Sequence, residues 1–209
     1  MSHHPFIEKN QQVIADFSAT QDVPFYAYDI DGLAQHINQL VNDDIKLWFA
    51  VKANPLSSII KALASQGMQF DVASSGELDQ VLAQGVKPEH ILNTGPAKSF
   101  AQITHFFEQG VSVFVAESVN QLALINQQAN EFGVVPSILL RVQLRFEQDS
   151  DNPLGGNELT PFGLGSDEWK EVDLSHYQHI NVVGLHIFQW GNMLEADALI
   201  DLWQTMIAP

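Results

Sequence analysis

Hydrophobic and polar positions fall into two kinds of block along this chain: short apolar runs, and longer stretches with apolar residues three or four apart. The runs at residues 47–51, 68–72, 90–93, 111–115, 137–142 and 181–188 have the length and apolar density of buried strands. Residues 57–65, 74–84, 99–109 and 118–132 carry helical spacing instead. Gly67, Gly85, Gly110 and Gly133 stand just past those stretches, where a helix end favours left-handed backbone. Ser74, Ser99 and Ser118 stand where helices begin, and Ser74 with Glu77 has the spacing of a capping box. Upstream, residues 1–23 read as a helical N-terminal extension with Phe6, Ile7, Val13, Ile14 and Phe17 as its apolar positions. Residues 24–28 read as a short strand, and Asp29 or Asp31 as the cap of a helix carrying Ile30, Leu33, Ile37, Leu40 and Val41. A longer excursion follows Val142, and helical spacing returns at residues 195–207 through Leu199, Leu202, Trp203 and Met206.

Strand and helix alternate roughly six times after Lys46, which predicts a parallel α/β fold with right-handed crossovers. A doubly wound open sheet and a (β/α)8 barrel both fit, and both bind ligands at the C-terminal ends of their strands. No G-x-G-x-x-G follows the first strand, so the barrel is preferred.

Composition narrows the function. Nine basic against 25 acidic residues leave a formal charge of -16, which disfavours nucleic acid and anionic membranes as partners. The chain has no cysteine, which removes disulfides, thiolate metal sites and a cysteine nucleophile; no metal is expected. No run approaches the ~18 apolar residues of a membrane span, and the first residues lack a basic stretch followed by an apolar one. A cytoplasmic protein is the expectation.

The candidate chemistry sits where a barrel would place it. Lys52 closes the apolar run Leu47-Trp48-Phe49-Ala50-Val51. A lysine there either reaches solvent or pairs at a sheet margin, or it is a functional amine able to form a Schiff base with a carbonyl compound. Asp71, Asn93, Arg141 and the segment after His186 end other proposed strands. Each has a plain alternative: Asp71 as cap of the following helix, Asn93 as the turn to Gly95, the others as structural ion pairs.

Phe49-Ala50-Val51-Lys52-Ala53-Asn54-Pro55 resembles the lysine motif of the fold-type III pyridoxal-phosphate decarboxylases, which include the ornithine/arginine and diaminopimelate enzymes. Phe70-Asp71-Val72-Ala73-Ser74-Ser75-Gly76-Glu77-Leu78, Thr94-Gly95-Pro96-Ala97-Lys98 and Leu139-Leu140-Arg141-Val142 resemble further signatures of that family, in family order. Gly155-Gly156, Phe162-Gly163-Leu164 and Gly184-Leu185-His186-Ile187-Phe188 look most like the branch acting on carrier-protein-linked amino acids and its exosortase-associated relatives.

The resemblance implies a pyridoxal 5'-phosphate-binding, alanine racemase-like TIM-type barrel domain over residues 24–209. It covers about six of eight strands, without the family's C-terminal β domain. It implies Lys52 as the Schiff-base lysine, with Asp71, Arg141, Phe188 and Gly191 around the cofactor. Phe188 aligns where many relatives stack a histidine, and His186 is a strand support inside the barrel or a weaker alternative. Two departures stand out. Gln189-Trp190-Gly191-Asn192 replaces a usual Gly-Ser-Gln, and Pro161 stands where a basic residue is common; both bear on phosphate binding.

The expected function is decarboxylation of an amino acid, free or carrier-protein-linked. The alternatives are an amino-acid racemase, and a non-catalytic remnant or pseudoenzyme pairing with a full-length homologue. The family's homodimers imply that a chain of this length needs a partner or the missing half to complete its site.

Overall fold

A computed structural model describes residues 5–41, 44–144, 160–188 and 194–207. The elements run α1 (Pro5–Ser18), α2 (Ile30–Leu40), β1 (Trp48–Ala50), α3 (Ser57–Ser65), β2 (Gln69–Val72), α4 (Ser75–Leu82), β3 (Ile91–Asn93), α5 (Phe100–Glu108), β4 (Val113–Ala116), α6 (Val119–Phe132), β5 (Ser137–Val142), α7 (Ser166–Lys170), β6 (Asn181–Ile187) and α8 (Ala196–Ile207).

All strand pairings are parallel, and the sheet order follows the chain from β1 to β6. A doubly wound sheet reverses direction at a switch point; an unbroken sequential order is that of a barrel. The described residues form six parallel strands of a barrel-type sheet, open between β1 and β6.

The helices form because their apolar faces have a sheet to cover and their ends are satisfied. Ser74, Ser99 and Ser118 accept the backbone N–H groups of Glu77, Gln102 and Gln121, as their positions predict. Glu77 reaches back to the N–H of Ala73, one residue before the cap, at 2.6 Å. Gly133 ends α6 at φ +65°, a conformation that carries little penalty only without a Cβ. The core lies between these helices and the outer face of the sheet. Phe70 and Val72 of β2, Phe114 and Ala116 of β4, and Ile138, Leu140 and Val142 of β5 join Ile60, Leu63, Leu78, Ile103, Phe106, Leu122 and Ile125 in one buried cluster. Each such Phe, Leu or Ile contributes about 1.5–3 kcal/mol on leaving water.

Two expectations need correction. Residues 24–28 form no strand: Tyr26 is 89% exposed, and its neighbours are paired with no strand among the described residues. Their composition favours extended backbone, but a strand needs a partner to supply its hydrogen bonds. The helix of the N-terminal extension stops at Ser18, so residues 19–23 are not helical; α7 lies in the long excursion after β5.

Candidate active site

In a parallel sheet, residues paired in register point to the same face. Because Phe70, Val72, Phe114, Ala116, Leu140 and Val142 pack beneath the helices, the intervening residues face the barrel interior. Asp71 on β2 and Arg141 on β5 are on that inner face, and Glu117 follows β4 in the same phase. Arg141 pairs with His186 of β6, which brings the imidazole to the same side. Lys52 lies in a tight turn, Val51–Ala53, directly after β1. Val51 anchors that turn with no exposed surface, whereas Lys52 is exposed.

Asp71 does not cap the helix after it; Ser74 does that. The Thr94 hydroxyl donates to Asp71 Oδ1 at 2.5 Å. Burial raises the Asp71 carboxyl above its ordinary range; the Thr94 hydrogen bond and the charges of Lys52 and Lys98 oppose that rise, and Glu77 adds to it. Asn93 is a strand fastener: its Nδ2 donates to Val72 O at 3.1 Å, which ties β3 to β2.

Arg141 is held on several sides. Its Nη1 lies 3.1 Å from both carboxylate oxygens of Glu117. Its guanidinium carbon sits 4.7 Å from the Phe162 ring centre and 5.8 Å from that of Phe188. Its carbonyl accepts from Trp169 Nε1 at 2.7 Å and from Leu164 N at 3.1 Å. Among the described residues only Nη1 of this guanidinium makes hydrogen bonds, leaving Nε and Nη2 uncommitted. Phe188 therefore stands beside Arg141. Gly191 lies outside the described residues.

Three further residues complete the cluster, and sequence reasoning did not name them as site residues. Glu117 is 2% exposed and also accepts the Gly95 N–H at 2.8 Å, so one carboxylate joins the ends of β3, β4 and β5. Lys98 is buried and donates to the Gly95 carbonyl. Burial lowers its pKa to about 8, against the opposing pull of Glu117 and Asp71 and with a small push from Arg141. Thr94 is the Asp71 partner. Glu117 had a legible signal: it is a charged residue closing an apolar run directly before a helix-capping serine, the same position that singled out Lys52. Thr94 and Lys98 were inside a recognised motif, but nothing in its letters says which of them faces inward.

A family model described as the pyridoxal binding domain of pyridoxal-dependent decarboxylases matches residues 29–196. The chain belongs to the pyridoxal-dependent decarboxylase family. It is 25% identical over 197 residues to the L-glutamyl-[BtrI acyl-carrier protein] decarboxylase of Niallia circulans, covering 92% of this chain and 46% of that protein. It is 28% identical over 162 residues to the diaminopimelate decarboxylase of Pseudomonas aeruginosa, covering 76% of this chain and 39% of that one. The crystal structure of diaminopimelate decarboxylase from Helicobacter pylori complexed with L-lysine superposes with a TM-score of 0.80 at 26% identity, over 92% of this chain and 51% of that one. The chain thus spans about half the length, or less, of the decarboxylases it matches. The cofactor of this pyridoxal-dependent decarboxylase domain is pyridoxal 5'-phosphate.

The residues present fit that cofactor. An aldehyde needs an accessible primary amine, and Lys52 is exposed at the strand ends. A ring bearing a hydroxyl and a phosphate needs donors, and Arg141 keeps two nitrogens uncommitted. The buried Nδ1 of His186 has no hydrogen-bond partner, which is a polar demand that this chain's described residues leave open.

Proposed function

We propose that this decarboxylase-family chain acts on an amino acid, free or carrier-protein-linked, through pyridoxal phosphate held on Lys52. The observation that carries the reading is Lys52 itself: an exposed amine at the end of β1, electrostatically coupled to the inward-facing Asp71. When bound, the cofactor supplies the electron sink for the pair released as the carboxylate leaves.

The chain's own residues hold and tune. Asp71, a carboxyl with a raised proton affinity close to a lysine charge, accepts the proton that Lys52 must shed to become a nucleophile. Thr94 fixes the orientation of Asp71 through its hydroxyl. Glu117 and Phe162 hold the guanidinium of Arg141 in place. A cation fixed there would draw negative charge toward a cofactor ring held beside it. Phe188 supplies an apolar ring next to the same guanidinium, suited to packing on a flat heterocycle.

The substrate class follows the relatives, one of which acts on a glutamyl group on an acyl-carrier protein and others on diaminopimelate. The test starts with the chain, added pyridoxal phosphate and borohydride reduction. A single reduced label should map to Lys52 and vanish in Lys52→Ala. Label scattered over surface lysines, with Lys52→Ala unchanged, would overturn the reading. Carbon dioxide release is then measured over a panel of free and carrier-linked amino acids, and the class that releases it identifies the substrate.

A further inference from the structure

Strand β6 contains an irregularity that decides what the site can offer. Ile138 pairs with Val182, but the next residue, Leu139, pairs with Gly184, so Val183 is an extra residue in the ladder. Because side chains alternate faces along a strand, one inserted residue moves everything after it to the opposite face. Without it, Arg141 would sit opposite Leu185, and His186 would point under the helices. With it, Leu185 takes the outer face beside Leu140, and His186 turns inward beside Arg141. Phe188, two residues on, follows in the same phase and reaches Arg141. Gly184 eases the shift without being required for it, since a Cβ there would lie 3.3 Å from the flexible tip of Leu139.

The imidazole delivered this way is not an idle strand support. A support would satisfy its own polar atoms, yet Nδ1 of His186 is buried and makes no hydrogen bond among the described residues. Its strand neighbour Arg141, whose charge it feels, keeps Nε and Nη2 without partners among the described residues. Three of the nine basic residues of a chain with 25 acidic ones converge here: Lys52, Lys98 and Arg141. The two carboxylates of the cluster are engaged, Asp71 with Thr94, and Glu117 with Arg141 and Gly95. What is left open is a set of donors toward an anionic or electron-rich oxygen.

We infer that His186 is a further binding residue of this site, its imidazole joining Arg141 to hold the ring oxygen of a pyridoxal-type ligand. The role rests on the reading of Lys52 given above and extends it to the C-terminal end of β6. Burial, with the positive charges of Arg141, Lys98 and Lys52, lowers its pKa to about 4. The ring is therefore neutral at pH 7, a donor through one nitrogen without adding a fourth cation.

The experiment compares the unaltered chain with His186→Leu, which removes both ring nitrogens, and His186→Asn, which keeps an N–H near Nδ1. Circular dichroism first establishes that each is folded. Pyridoxal phosphate binding and the pH midpoint of its bound absorbance band are then titrated. The expected result is about tenfold weaker binding and a displaced midpoint in His186→Leu, with both largely restored in His186→Asn, the size of one hydrogen bond to a charged group. If His186→Leu binds with the same affinity and the same midpoint while the label still maps to Lys52, the inference about His186 falls and the function reading stands. If the unaltered chain takes no label at Lys52, both fall together. If His186→Leu unfolds, the decision passes to His186→Asn against His186→Phe, and equal affinity and midpoint in those two overturns the role.

Discussion

Gly163 shows how much of the site depends on a residue that carries no chemistry. Its φ of +89° is in the left-handed region, and a Cβ built there would meet the Arg141 carbonyl oxygen at 2.6 Å and the Arg141 Cγ at 2.9 Å. Neither can yield cheaply, because that carbonyl already receives Leu164 N and Trp169 Nε1. Gly163→Ala therefore combines backbone strain with a collision against the strand holding the guanidinium. The expected loss is about 2–4 kcal/mol of stability, read as a lower urea midpoint, together with weaker pyridoxal phosphate binding. Gly184→Ala is the control. Its φ is ordinary and its only close neighbour is the tip of the flexible Leu139 side chain, so a cost under about 1 kcal/mol is expected. The Phe162-Gly163-Leu164 motif was visible in the letters, but its mechanical purpose was not: only the fold reveals that the glycine lies against Arg141. The same holds for Glu117, whose partner is 24 residues away.

Most elements were legible, because a strand or helix in this fold is a local pattern with local punctuation. The helix Ser57–Ser65 and the strand Ser137–Val142 fall on their predicted residues, and Ser118 and Gly133 bound α6 as expected. The bulge in β6 was not legible, since nothing in Asn181–Ile187 distinguishes a straight strand from one that changes face midway. Its consequence is measurable as a pH dependence. Burial and the cations Arg141, Lys98 and Lys52 push the His186 pKa down from its ordinary 6.5 to about 4. A depressed folded pKa means that the unfolded chain binds this proton first. The favourable balance is complete above pH 6.5 and drains away as pH falls toward 4, with about 2 kcal/mol of it lost by pH 5. Unfolding free energies at pH 7 and pH 5 should differ by that much less in His186→Asn than in the unaltered chain. Equal differences in the two would mean that β6 leaves this imidazole freely hydrated.

At the scale of the whole molecule, parallel sheets are ordinarily covered on both faces, and this one is covered unevenly. The outer faces of β2 to β5 vanish beneath helices, but on β6 Val183 is 54% and Leu185 60% exposed. Helix α8 buries only Leu202, leaving Trp203 at 56% and Ile207 at 80% exposure. The outer edge of β6 has no strand partner among the described residues, so a row of backbone donors and acceptors lies beside that apolar surface. Hydrophobic contact and open hydrogen bonds both favour association of this chain in solution, while a formal charge of -16 opposes it. Salt weakens only the opposing effect, because screening shortens the reach of surface charge to about 10 Å at 0.1 M and leaves the apolar contact intact. The mass measured by light scattering should therefore rise with protein concentration, and rise further with added salt. Leu185→Lys places a charge in the centre of the exposed face and should return the mass toward that of one chain under both conditions. A mass that stays at one chain across concentration and salt would mean that β6 and α8 are already self-sufficient. A rise that ignores Leu185→Lys would place the contact elsewhere, with the exposed apolar residues of α1 such as Val13, at 68%, next to be substituted.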